Sequence, residues 1–125
     1  MSDAKDAGGA SLRKDPVLGI ETAGGARVVR LGGELDLYNA HQVREALVEA
    51  SKDSPERIVV DLGEVEFIDS TALGALIEGR TRLNNRRAFL LAAPGVETRR
   101  ALEISGLDRH FVVHGTVAEA LAARL

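Results

Sequence analysis

The chain has 125 residues, 45% hydrophobic and 28% charged, which suits one globular domain with its own core. A net charge of −3 speaks against broad nucleic-acid binding, which needs a basic field, and the absence of cysteine excludes disulfides and thiolate metal sites and fits a cytoplasmic setting. No apolar run approaches the ~18 residues of a membrane-spanning helix, so no membrane association is expected.

The opening segment, MSDAKDAGGASLRK (1–14), is small, polar and charged. It has too little apolar surface to offset ordering entropy, and it lacks the apolar stretch of a signal peptide. It is read as a flexible tail, with one domain over 15–125. VLGIET (17–22) reads as a first strand, and Gly24-Gly25 as a hairpin turn. RVVRLGGELD (27–36) is its antiparallel partner. Asn39 followed by Gln42 predicts a capping box for a helix whose inner face is Val43, Ala46, Leu47 and Ala50. RIVVDL (57–62) is short and β-branched, as in a buried strand, and residues 63 to 70 read as a loop leaving its carboxyl end.

A second helix is predicted from Ser70, with Leu73, Leu76, Ile77 and Leu83 inward. AFLLAA (88–93) is a strand stopped by Pro94-Gly95. VETRRALEIS (96–105) is a helix closed by Gly106, with Leu107 packing behind it. HFVV (110–113) is a short strand. Thr116 and Glu119 form a capping box for a last helix with Val117, Ala120, Leu121 and Leu125 inward. The order β-β-α-β-α-β-α-β-α predicts an α/β domain: about five strands in a mixed, mostly parallel sheet, and four helices. With aromatics at 3%, its core is built mainly from Leu, Val, Ile and Ala.

In open α/β sheets, sites gather beyond the carboxyl ends of strands, and the segment ending in Asp69-Ser70-Thr71 lies there. Ser70 reads first as an N-cap, its oxygen accepting an amide of the first turn. The same position suits a phosphate, since free N–H groups and the helix dipole favour negative charge. A nucleophilic enzyme is not expected, because I-D-S-T-A lacks the G-x-S-x-G elbow and His41, His110 and His114 stand in no triad context. His110 and His114 would lie ~13 Å apart along a strand, too far to share a metal, so no metal site is expected. Gly32-Gly33 without G-K-[ST] is no phosphate loop, and no cofactor is expected. Arg80, Arg82, Arg86 and Arg87 complement a helix carboxyl end, and with few aromatics to stack bases they do not point to RNA.

At VVDLGEVEFIDSTALGAL (59–76) the chain resembles the signature of the STAS domain, more narrowly that of the single-domain bacterial anti-sigma factor antagonists. GGELDLYNAHQVREAL (32–47) is similar to their second motif, and Ala72 stands where many members carry glycine. The resemblance covers roughly residues 15 to 125. It implies a non-enzymatic switch that binds an anti-sigma factor with serine kinase activity while unphosphorylated, so releasing a sigma factor. It implies inactivation by phosphorylation at Ser70, with Thr71 as the second choice, and resetting by a PP2C-type phosphatase. Asp36, Tyr38, Asn39, Glu66, Asp69, Ser70, Thr71 and Leu73 would form the contact surface. The chain itself would be a monomer or weak dimer. The rival expectations are a STAS scaffold within a larger stress-signalling assembly and a module binding an anion or nucleotide at the Ser70 helix end.

Overall fold

The computed structural model describes residues 15–125, so the tail expected at 1–14 lies outside the described residues. Strands β1 (Val17–Ala23) and β2 (Ala26–Leu35) are followed by helix α1 (Ala40–Ala50), β3 (Arg57–Ile68) and α2 (Ser70–Thr81). Strand β4 (Phe89–Ala92), α3 (Val96–Ser105), β5 (Val112–His114) and α4 (Val117–Ala122) complete the order. The five strands form one sheet in the order β1-β2-β3-β4-β5. Only the opening hairpin is antiparallel, turning at Gly24-Gly25 with Gly24 at φ 63°; the other three pairings are parallel. This is the mixed α/β sheet expected from the element order.

The two faces of the sheet are covered unequally. Val29, Leu31, Ile58, Val60, Leu62, Phe89 and Leu91 pack under α1, α2 and α3. Val28, Val59, Leu90 and Ala92 pack under Ala120, Val117 and Leu121 of α4. The inner face of α1 is the expected one, since Val43, Ala46, Leu47 and Ala50 are all buried. Helix α2 buries Leu73 and Leu76 as expected, but also Ala72, Ala75 and Gly79. These small residues let it approach α1 closely: a β-carbon on Gly79 would sit 2.5 Å from Leu47 Cδ1. Gly106 ends α3 in the left-handed conformation at φ 77°, with Leu107 half-buried against the core.

Four local expectations are corrected. First, β3 does not stop at Leu62 but runs to Ile68. It carries two bulges against β2, between the pairs Arg30/Asp61 and Gly32/Glu64 and between Gly33/Val65 and Glu34/Phe67. The extra residues space its buried positions Leu62, Val65 and Ile68 three apart, which hides the alternation of a strand. Second, Asn39 precedes α1 without capping it; its side chain turns back to the preceding loop. Third, Asp69 caps α2, with Ser70 the first helical residue. Fourth, Leu125 is exposed, because α4 ends at Ala122 and Arg57 Nη1 donates to the carbonyls of Ala120 and Ala123 at 2.8 and 2.7 Å.

Candidate functional site

Strands β2 and β3 run parallel to their ends, where Leu35 pairs with Ile68. Each is followed at once by an aspartate, so Asp36 and Asp69 leave the sheet side by side. The Asp69 amide donates to Leu35 O at 3.0 Å. Its carboxylate then accepts twice: Oδ1 from the Ala72 amide at 3.0 Å, and Oδ2 from the Leu37 amide at 3.1 Å. One side chain therefore caps α2 and ties down the loop from β2 to α1.

That loop is also braced from within. Buried Asn39 donates through Nδ2 to Glu34 O at 2.8 Å, and its Oδ1 accepts from the Asp36 amide at 2.9 Å. Asp36 Oδ1 accepts from the Tyr38 amide at 3.0 Å, and Asp36 O from the amides of Asn39 and Ala40. Buried polar groups satisfied in this way hold a loop in one conformation. With its backbone so fixed, the loop presents its side chains outward: Leu37 is 61% and Tyr38 69% exposed. Phe67, opposite Glu34 on β3, is 51% exposed. The chain has only four aromatic residues. Phe89 and Phe111 are in the core, and the other two stand here.

Ser70 is exposed on the first turn of α2, and no described residue hydrogen-bonds to its hydroxyl. Thr71 is half-buried. The charged residues of the two converging segments, Glu34, Asp36, Glu64, Glu66 and Asp69, are all acidic. Chemically these two segments offer an accessible alcohol, exposed apolar side chains and only acidic charges. Among the described residues no three His, Asp or Glu side chains are grouped to hold a metal ion, and no helix is long and apolar enough to cross a membrane.

Of the residues expected at a contact surface, Asp36, Tyr38, Glu66, Asp69, Ser70 and Thr71 lie on these two segments at one end of the sheet. Two are corrected. Leu73 is 4% exposed and belongs to the core beneath α2, and Asn39 is 4% exposed and serves the loop. Neither side chain is accessible at the surface. Two exposed residues were not foreseen, Leu37 and Phe67. Strand alternation would put Phe67 on the buried face with Val65, but the bulge at Glu66 turns it outward. Leu37, in a polar loop, carried no signal beyond being apolar where a turn was expected.

The STAS domain pattern matches residues 18–120. The anti-sigma-F factor antagonist RsfB of Mycobacterium tuberculosis is 36% identical over 97 residues, spanning 78% of this chain and 80% of that protein. The crystal structure of an anti-sigma factor antagonist from Mycobacterium paratuberculosis superposes with a TM-score of 0.76 at 34% identity, covering 82% of this chain and 87% of that one. SpoIIAA, a Bacillus cell fate determinant, shares the fold at 24% identity, with 82% of this chain covered in both comparisons. Its unphosphorylated form gives a TM-score of 0.66 over 91% of that chain, and its phosphorylated form 0.62 over 95%.

Proposed function

The chain belongs to the STAS domain family, among its anti-sigma factor antagonists, and from that premise we infer that it binds an anti-sigma factor through the surface around Ser70 and is switched off by phosphorylation of that serine. The observation that carries the reading is an exposed serine next to Asp69, whose carboxylate holds the Leu37 amide, with Leu37, Tyr38 and Phe67 exposed and five acidic residues on the same two segments. Exposed aromatic and aliphatic anchors of this kind dominate binding energy where they are desolvated. The acidic rim fits a partner that presents basic side chains around an apolar hollow.

The partner is an anti-sigma factor with serine kinase activity, and a PP2C-type phosphatase restores the free hydroxyl. ATP and its magnesium belong to the kinase. In the transfer, the Ser70 Oγ–phosphorus bond forms, the bond from the γ-phosphorus to the bridging oxygen breaks, ADP leaves, and a base of the kinase takes the serine proton. The protein then carries a group of about −1.5 to −2 charges next to Asp69, on segments whose charged residues are all acidic. A neutral hydroxyl is cheaply desolvated at an interface, whereas misplaced like charge costs several kcal/mol there. At ~1.4 kcal/mol per tenfold, affinity falls by roughly 10² to 10³ with no change of fold. The chain works as a soluble cytoplasmic monomer or weak dimer.

The test is to incubate the purified chain with each anti-sigma factor of its source organism and ATP, and to map the phosphopeptide. Label on Ser70 is expected. Label on Thr71 would move the switch by one residue, and no label from any of them would end the kinase reading.

A further inference from the structure

We propose that Asp69 is the positioning residue of this docking surface: it acts on the partner through Leu37 and Tyr38, not by touching the partner itself. The proposal deepens the reading above and rests on it for the partner.

Both carboxylate oxygens of Asp69 are already engaged inside the chain, one by the Ala72 amide and one by the Leu37 amide. The group is half-buried and sits at the amino end of α2, where the helix dipole further offsets its charge. Half of its accepting capacity, one lone pair on each oxygen, is thus spent inside the chain. What it does hold is the loop 36–39, joined to a segment 32 residues further along the chain. This loop displays Leu37 and Tyr38, and Leu37 is 61% exposed, so its own packing contributes little to its position. The carboxylate across from Leu37 places them beside Ser70.

The geometry also accounts for the residue type. Two N–H donors converge on one side chain, and a carboxylate supplies two acceptor oxygens. Asparagine supplies one, and its NH₂ would face the other donor. Serine supplies one oxygen, enough to cap α2 but too short to serve both. Glutamate adds a methylene to a bridge whose two bonds are already at 3.0 and 3.1 Å.

Two variants separate cap from brace. Asp69→Ser keeps a capping oxygen for α2 and drops the bond to Leu37, while Asp69→Asn keeps the volume and loses one of the two acceptors. Amide hydrogen exchange on the intact protein, followed by NMR, reads the brace directly and needs no partner. The Leu37 amide should exchange about ten- to a hundredfold faster in Asp69→Ser, the worth of one hydrogen bond to a charged acceptor. The amides of Val59, Val60, Leu90 and Leu91 should keep their rates. Unchanged exchange at Leu37 overturns the proposal.

The second readout is a double-mutant cycle with Tyr38→Ala, titrated by calorimetry against the purified anti-sigma factor that phosphorylates the parent chain. A positioning role predicts that Asp69→Ser weakens binding in the parent and adds almost nothing once Tyr38 is gone. Fully additive losses would show that Asp69 contacts the partner directly, which also overturns the proposal. Were no anti-sigma factor to bind the parent, the function reading would fall, and the exchange rates alone would decide the brace.

Discussion

Ser70 is accessible because Asp69 does the capping. Had the serine oxygen been committed to an amide of the first turn, it would be less available to a kinase; with Asp69 Oδ1 on the Ala72 amide, it is left facing solvent. Ser70→Ala should therefore leave the helix start intact and bind the anti-sigma factor like the parent while accepting no phosphate, read by calorimetry and by phosphopeptide mapping. Ser70→Asp brings one negative charge instead of about two and should weaken binding roughly tenfold, less than phosphate does. Parent-like affinity in Ser70→Asp would remove electrostatic exclusion as the cause. Asn39 carries a different expectation. Its side chain is buried and makes two hydrogen bonds to the backbone of Glu34 and Asp36, so Asn39→Ala leaves a partly buried carbonyl and a partly buried amide without that partner. A stability loss of about 2–3 kcal/mol in urea titration is expected. At this scale the sequence pointed to the segment around Ser70, because hydroxyls after an aspartate at a helix start are conspicuous. It did not reveal that Asn39 turns back onto Asp36 and Glu34 instead of capping α1, nor that Asp69 also serves the Leu37 amide, which tertiary structure brings to it.

Among the elements, the regular ones were legible and the irregular one was not. The inner face of α1, the Gly106 stop and the Thr116 cap rest on local spacing and local hydrogen bonds, and all three are present in the fold. Strand β3 was read six residues too short because its bulges depend on pairing with β2, which no local pattern encodes. Those same bulges turn Phe67 outward, so the misread stretch is also the one that leads into the candidate site. The α1–α2 contact makes a further prediction at this scale. In an exposed helix Gly→Ala would help by roughly 1 kcal/mol. Here the new methyl meets Leu47, itself buried, at 2.5 Å from Cδ1 and 3.2 Å from Cβ and Cγ. Gly79→Ala should destabilise by about 1–3 kcal/mol, seen as a lower denaturation midpoint with an unchanged slope. A more stable Gly79→Ala would mean that α1 and α2 part without cost.

For the whole molecule, the α/β class followed from the order of elements, and the unequal covering of the sheet followed from the crossovers rather than from any one segment. Among the described residues three helices lie over one face and α4 over the other, and Ser70 stands at the carboxyl edge, outside both cores. A modification there adds charge to the rim and leaves the packed interior untouched. The phosphorylated protein should accordingly keep its far-UV circular dichroism spectrum and its denaturation slope. A large spectral change would instead make the switch a refolding event. The account turns on whether a phosphate at Ser70 abolishes docking while the fold persists. Calorimetric titration of the purified anti-sigma factor with the parent chain and with chain fully phosphorylated at Ser70 measures this directly. The account predicts a loss of roughly 10² to 10³ in affinity on phosphorylation, and equal affinities for the two forms would contradict it.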